Sequence, residues 1–246
     1  EQMVKKKRDH LKLDVDQSKR VVLKALKESL PRRGKVLEIS SGLGLHAVWV
    51  ATHLPNITFF PSDCDHASLH SLAAYTSQEK LKNLETALVI DPTKPNWWLD
   101  VQEPGAWTGL LSANISTMSC WPLTEQLLAA ADHLLQPCGI LAICGQFRAE
   151  IEEDDDALDG YEDLVVSSRN GPWGLRTVES VVEMAEGMSP PFVLAQSVAL
   201  ALDYWVLVFH KDGPPQFQSR PSSSRSRSRP MSADPAESPE VGFSAS

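Results

Sequence analysis

The feature that most constrains this chain is a regular alternation. Short apolar segments, Lys35–Ile39, Ile57–Phe60, Ala87–Ile90, Thr108–Ala113, Ile140–Cys144, Phe192–Ala199 and Tyr204–His210, read as strands. Gly109 weakens the fourth of them. Between them lie helical patterns at 45–54, 66–77, 122–135 and 178–188, and another from Ser18 to Leu30 precedes the first strand. Ser18 is positioned as that first helix's N-cap, with Pro31 as its stop, and Asp65 as the N-cap of the helix from His66. Strands joined by helices need crossover connections, so the sheet is expected to be mainly parallel. Strands that are apolar throughout expect helices on both faces, a three-layer α/β sandwich. Only Leu200–Asp203 separates the last two strands, which predicts an antiparallel hairpin at one edge.

Charge narrows the function classes. The net charge is −9 from 32 acids and 23 bases. Nine of the acids, Glu150, Glu152, Glu153, Asp154, Asp155, Asp156, Asp159, Glu162 and Asp163, fall in one short run. The rest of the chain is balanced, so no net field draws it toward nucleic acid or anionic lipid. The run lacks the Asp-x-Asp-x-Asp-Gly order of a calcium loop and reads as solvated. Cys64, Cys120, Cys138 and Cys144 form no CxxC pair and no zinc spacing, which fits reduced thiols and no metal. No apolar run is long enough to span a membrane, and the basic stretch Lys5–Arg8 has no apolar segment behind it, which argues against a secretory signal. An intracellular protein is expected, in the cytoplasm first and the nucleus second. The segments are read as a flexible 1–17, a folded domain over 18–211, and a disordered Ser/Pro/Arg-rich tail over 212–246 that has too few apolar residues to order itself.

The most informative segment is Glu38-Ile39-Ser40-Ser41-Gly42-Leu43-Gly44-Leu45-His46-Ala47, which ends the first strand and opens a helix. Ligands of open parallel sheets bind beyond the strands' carboxyl ends, and glycine lets backbone approach them closely. The loose pattern G-x-G-x-x-G/A is also met, so a dinucleotide enters as a competitor. Glu38 stands where its charge would repel a pyrophosphate. Asp63, 25 residues on, can accept both hydroxyls of a ribose, and Asp91 after the third strand can accept from an adenine amino group. Three acids along one rim suit a sulfonium cofactor better than a diphosphate, which sets a nicotinamide-dependent reductase aside.

These residues resemble class I S-adenosylmethionine-dependent methyltransferases: Glu38–Gly44 their first motif, and Leu134-Leu135-Gln136-Pro137-Cys138-Gly139 their L-x-P-G-G turn, with Cys138 in place of a glycine. More narrowly, the chain is similar to the methyltransferase-like protein 26 family. The stretches Ser40–Ala47, Leu54-Pro55-Asn56, Phe60–Asp63, Thr124-Glu125 and Arg169–Arg176 carry that likeness. The resemblance implies a seven-stranded Rossmann-like sheet, S-adenosylmethionine as cofactor, and Glu38, Gly42, Gly44, Asp63 and Asp91 in the cofactor site. Ser40, His46 and Asn114 join that set as candidates on position.

The chain departs from that family where a methyl acceptor would lie. Asn114-Ile115-Ser116-Thr117 stands in place of Asn-Met-x-His, Gly145-Gln146 in place of Gly-Pro, Leu45 in place of Gln, Gln17-Ser18 in place of Arg-Asn, and Ala201-Leu202-Asp203-Tyr204 in place of Pro-Ala-Asn-Asn. Methyl transfer needs mainly alignment of donor and acceptor, and needs a base only if the acceptor must lose a proton. Asn114 and Thr117 are the candidates for catalytic contacts, with Met118, Trp121 and Trp173 as pocket walls. The expected activity is methyl transfer to a small molecule or protein side chain. The alternative is a non-catalytic S-adenosylmethionine-binding or scaffold module that has kept the fold.

Overall fold

In the computed structural model, residues 15–113, 121–147, 177–201 and 204–212 are described. They belong to the first of two compact units, Glu1–Pro215; the second, Gln216–Ser246, lies outside the described residues. The elements in chain order are α1 (Val15–Ser29), β1 (Gly34–Ile39), α2 (Leu45–His53), β2 (Ile57–Asp63), α3 (His66–Glu79), β3 (Leu88–Val89) and β4 (Trp107–Ala113). They continue with α4 (Trp121–Leu134), β5 (Leu135–Gln146), α5 (Val178–Glu186), β6 (Phe192–Ala201) and β7 (Tyr204–Lys211). The seven strands form one sheet in the order β3-β2-β1-β4-β5-β7-β6. β7 runs antiparallel to both β5 and β6, and every other pair along β3-β2-β1-β4-β5 is parallel. The expected edge hairpin is therefore present, with β7 inserted between β5 and β6.

Side-chain alternation along the strands splits the core into two layers. Val36, Leu111, Ala142, Val206 and Val208 face Val22, Ala25 and Leu26 of α1 and Ala47, Val50 and Ala51 of α2. On the opposite side Leu37, Leu110, Leu141, Ile143 and Phe209 meet Leu127, Leu128 and Ala131 of α4 and Val181 and Ala185 of α5. Burying such aliphatic side chains contributes about 1.5–3 kcal/mol each, which is why strands covered on both faces need no polar alternation.

Several details differ from the expectation. α1 starts at Val15, so Ser18 is not its cap but lies within its first turns, buried at 1% exposure. The propensity of serine for caps is outweighed here by a tertiary hydrogen bond described below. β4 is not a weak strand. It is buried along its whole length between β1 and β5, and a Cβ at Gly109 would stand 3.1 Å from both Leu30 and Val36, so this glycine makes room for Leu30, just past the end of α1. β5 begins at Leu135, directly after α4, and its pairing with β4 shifts register between Trp107 and Gly109. β3 shrinks to two residues, and a short 3-10 turn at Trp97–Asp100 follows it. Asp65 caps α3 as expected, accepting from the Ser68 amide at 2.7 Å, and Thr177 caps α5 through the Ser180 amide at 3.1 Å. Among the described residues, no helix is long and apolar enough to cross a membrane.

Candidate functional site

β1 and β2 lie parallel and in register, so their carboxyl ends arrive together. Glu38 is the last polar residue of β1 and is 1% exposed. Two serines lock this end. Ser41 Oγ donates to Glu38 Oε2 at 2.7 Å and accepts from the Ser62 amide at 3.1 Å, while Ser62 Oγ donates to the Glu38 carbonyl at 2.6 Å. The Ser41 amide in turn donates to the Ser62 carbonyl at 2.8 Å. The other carboxyl oxygen, Glu38 Oε1, is buried and has no protein partner. Burial, and secondarily the charge of Asp63, raise the Glu38 carboxyl to about 7, against the lowering effect of the Ser41 hydroxyl.

The glycine turn is held against Asp63, itself buried at the end of β2. Asp63 Oδ2 accepts from the Gly42 amide at 2.9 Å and Oδ1 from the Asp65 amide at 2.9 Å. Each oxygen thus keeps one lone pair beyond its backbone bond. The turn runs through the left-handed region at Ser40, Gly42 and Gly44. The two glycines do different work. A Cβ on Gly42 would meet nothing within 4 Å, so this residue borders open space. A Cβ on Gly44 would lie 2.2 Å from Leu72 Cδ1, so Gly44 serves the packing of α2 against α3.

Asp91 stands on the outer side of the same rim. The Ile90 amide donates to the Asp63 carbonyl at 3.1 Å, which ties the β3 end to β2. The Asp91 carboxylate is engaged locally: Oδ1 accepts from Thr93 Oγ1 at 2.6 Å and the Thr93 amide at 3.0 Å, which holds its pKa below the usual value. Glu38, Asp63 and Asp91 therefore end three adjacent strands. The charge of Asp63 acts on Glu38, and Asp63 and Asp91 both raise the thiol of Cys64, whose largest perturbation is desolvation.

His46 points elsewhere than its place after the glycine turn suggested. It is largely buried under α1, where its Nε2 lies 3.1 Å from Ser18 Oγ. Burial, then the charge of Lys19, lowers its pKa to about 4, so the ring is neutral. Ser18 Oγ is 4.0 Å from Cys144 Sγ on β5, which donates to Tyr204 Oη on β7 at 3.3 Å. Burial raises the Cys144 thiol to about 11, and the Tyr204 phenol also titrates above its ordinary range for the same reason. This chain of polar groups crosses from α2 to β7 beneath α1, beside Glu38, whose charge also acts on Cys144.

Asn114, Thr117, Met118, Trp173, the acidic run and the Arg169–Arg176 stretch lie outside the described residues. Among the described residues there is no cluster of three or more His, Cys, Asp or Glu placed to hold a metal. A cleft of about 280 Å³, lined by Leu26, Lys27, Arg32, His53 and Ile57, opens at the amino ends of the strands, away from the glycine turn. Sequence reading missed Ser41 and Ser62 as functional groups. Their signal was only two hydroxyls flanking an acid in strands that end in register.

Among solved structures, the chain is similar to a SAM dependent methyltransferase from Aquifex aeolicus. That match has 16% identity and a TM-score of 0.53, and it covers 76% of this chain and 88% of that one. An O-methyltransferase family protein from Burkholderia thailandensis matches at 14% identity and TM-score 0.60, over 79% of this chain and 56% of that one. The S-adenosylmethionine-dependent methyltransferase SibL matches at 13% identity and TM-score 0.57, over 80% and 55%. The chain thus spans just over half of the latter two. Likeness at this level shows the fold, the Rossmann-like sandwich of class I S-adenosylmethionine-dependent methyltransferases. The family described as "Protein of unknown function (DUF938)" matches residues 11–211. Because that match spans most of the 246 residues, the chain belongs to the DUF938 family.

Proposed function

We propose that this protein binds S-adenosylmethionine at the glycine turn and transfers its methyl group to a small molecule or a protein side chain. The observation that carries the reading is the pairing of open space at Gly42 with an unpartnered buried oxygen on Glu38. A buried polar atom without a partner is costly, by about 1–3 kcal/mol, so it marks a place where a ligand donor fits. Glu38 and the lone pairs left on Asp63 would hold the cationic and hydroxyl groups of the cofactor, and Asp91 its adenine edge. Gly42, with no side chain, would let the backbone approach. Gly44 and His46 act one layer further back, by packing α2. When bound, the cofactor supplies a methyl group already activated by its sulfonium.

The protein's own share is alignment, since in-line methyl transfer gains several kcal/mol from orientation alone. The buried thiol of Cys144 and phenol of Tyr204 stay protonated at neutral pH, so neither acts as a base there. Acceptor contacts are assigned to Asn114 and Thr117, in the segment that follows β4. The similarity to the methyltransferase-like protein 26 family supports the same reading, as do the methyltransferase folds above.

Titration calorimetry with S-adenosylmethionine, S-adenosylhomocysteine and NADH tests the cofactor. Binding of the first two and not the third is expected. Asp63→Ala, which removes both carboxylate oxygens and frees the Gly42 amide, should abolish that binding. Unchanged affinity in this variant would refute the site.

A further inference from the structure

The rim at β1 and β2 holds two carboxyl groups on the same side of one turn, and they are unequally satisfied. Both Asp63 oxygens accept backbone amides. Glu38 has one oxygen bonded by Ser41 and one that is buried and bare. Among the described residues, Glu38 feels the charge of Asp63 from β2 and itself acts on the thiol of Cys144 from β5. From α2, His46 is turned to Ser18 of α1 and is neutral; from β7, Tyr204 is bonded to Cys144. A carboxyl buried at 1% exposure with one bare oxygen, and within reach of a second acid's charge, favours the state that keeps a proton.

We propose that Glu38 carries a proton in the free protein and releases it to solvent when a cationic ligand settles at the glycine turn. In this exchange the O–H bond of the Glu38 carboxylic acid breaks, the electron pair stays on the carboxylate, and the ligand's positive charge replaces the proton's. Ser41 is a positioning residue for the exchange. Its hydroxyl donates to Oε2, stabilises the carboxylate form and leaves Oε1 as the protonated atom. The inference rests on the reading that a sulfonium cofactor binds here. The neutral acid form removes the charge repulsion between Glu38 and Asp63 while the site is free of ligand. The raised carboxyl pKa at Glu38, caused first by burial, is in keeping with this geometry.

The test is calorimetry of S-adenosylmethionine binding to the full chain in buffers of different ionisation enthalpy, which counts protons released. With a midpoint near 7, about nine-tenths of a proton should leave per ligand at pH 6 and almost none at pH 8.5. Affinity should fall up to tenfold per pH unit below the midpoint. Glu38→Gln keeps the shape of the side chain and should bring the release at pH 6 to zero. Ser41→Ala should move the half-release point to higher pH, a change that a merely structural serine would not produce. S-adenosylhomocysteine, which keeps the ammonium and lacks the sulfonium, identifies the displacing cation. Equal release with both ligands assigns it to the ammonium, and release with S-adenosylmethionine alone assigns it to the sulfonium; either supports the exchange. Binding at pH 6 without proton release would overturn the exchange and leave the cofactor reading intact. Absence of binding at pH 8.5, where Glu38 is ionised, would overturn both.

Discussion

Replacing Glu38 with Gln should change the pH dependence of stability in a way that exposes a second buried group. Glu38 has a folded pKa of about 7 against 4.5, so the folded state binds the extra proton between those values. A raised acid pKa contributes stability below the unfolded value that is lost as pH rises through the folded one. The whole effect is about 3 kcal/mol, taking ~1.4 kcal/mol per pKa unit. His46 has the opposite sign. Its pKa falls from 6.5 to about 4, so the unfolded state binds the extra proton over that window, and stability is lost as pH falls from 6.5 toward 4. Between pH 5 and 6.5 the two contributions cancel in the wild type. In Glu38→Gln only His46 remains, so stability relative to wild type should rise by about 1.4 kcal/mol per pH unit. In His46→Gln only Glu38 remains, and the relative stability should fall at the same rate. Urea unfolding at half-unit intervals from pH 5 to 6.5 reads both slopes. Curves for the two variants that run parallel to the wild type would show that neither group titrates as its burial requires.

The packing of the turn makes separate predictions. Gly44→Ala places a methyl 2.2 Å from Leu72 Cδ1 at a φ of 79°, and should cost roughly 2–4 kcal/mol in thermal or urea unfolding. In a Leu72→Ala background the same change should cost only about 1 kcal/mol, since strain alone remains; an equal cost in both backgrounds would disprove the contact. Thr177→Ala removes the cap of α5 and should destabilise by about 1 kcal/mol, with no effect on S-adenosylmethionine binding measured at pH 8.5.

The sheet was legible because its signal is a repeated one. Apolar runs such as Ile140–Cys144 and Tyr204–His210 are long enough to be read without knowing their partners, and both lie within strands. The glycine turn and its flanking acids were legible for the same reason, as a strand end, an acid and two glycines in fixed order. What the sequence hid is long-range. Ser18 reads as a cap because local rules favour it, and only the arrival of His46 on α2 makes a place for it inside a helix. Gly109 reads as an interruption until Leu30 and Val36 close on it. Likewise Gly42 and Gly44 are alike in sequence, and only the position of Leu72 separates the one bordering open space from the one needed for packing. The Ser41–Glu38–Ser62 lock depends on the register of β1 against β2, which periodicity does not fix.

The lock also explains why Glu38 is buried with one oxygen bare rather than swung into solvent. Three hydrogen bonds from two serines hold the β1 end and the carboxylate in one orientation. Holding a buried carboxyl with one oxygen unpartnered in this way costs stability in the free protein, and a ligand that partners that oxygen recovers it on binding.

A crystal structure of the chain grown with S-adenosylhomocysteine decides whether the glycine turn is the ligand site. One ligand is expected at the carboxyl ends of β1 and β2, against Gly42, with donors on Glu38 Oε1 and Asp63. Ligand density at the amino-end cleft beside Arg32 and His53 instead, with Glu38 Oε1 still bare, would contradict it.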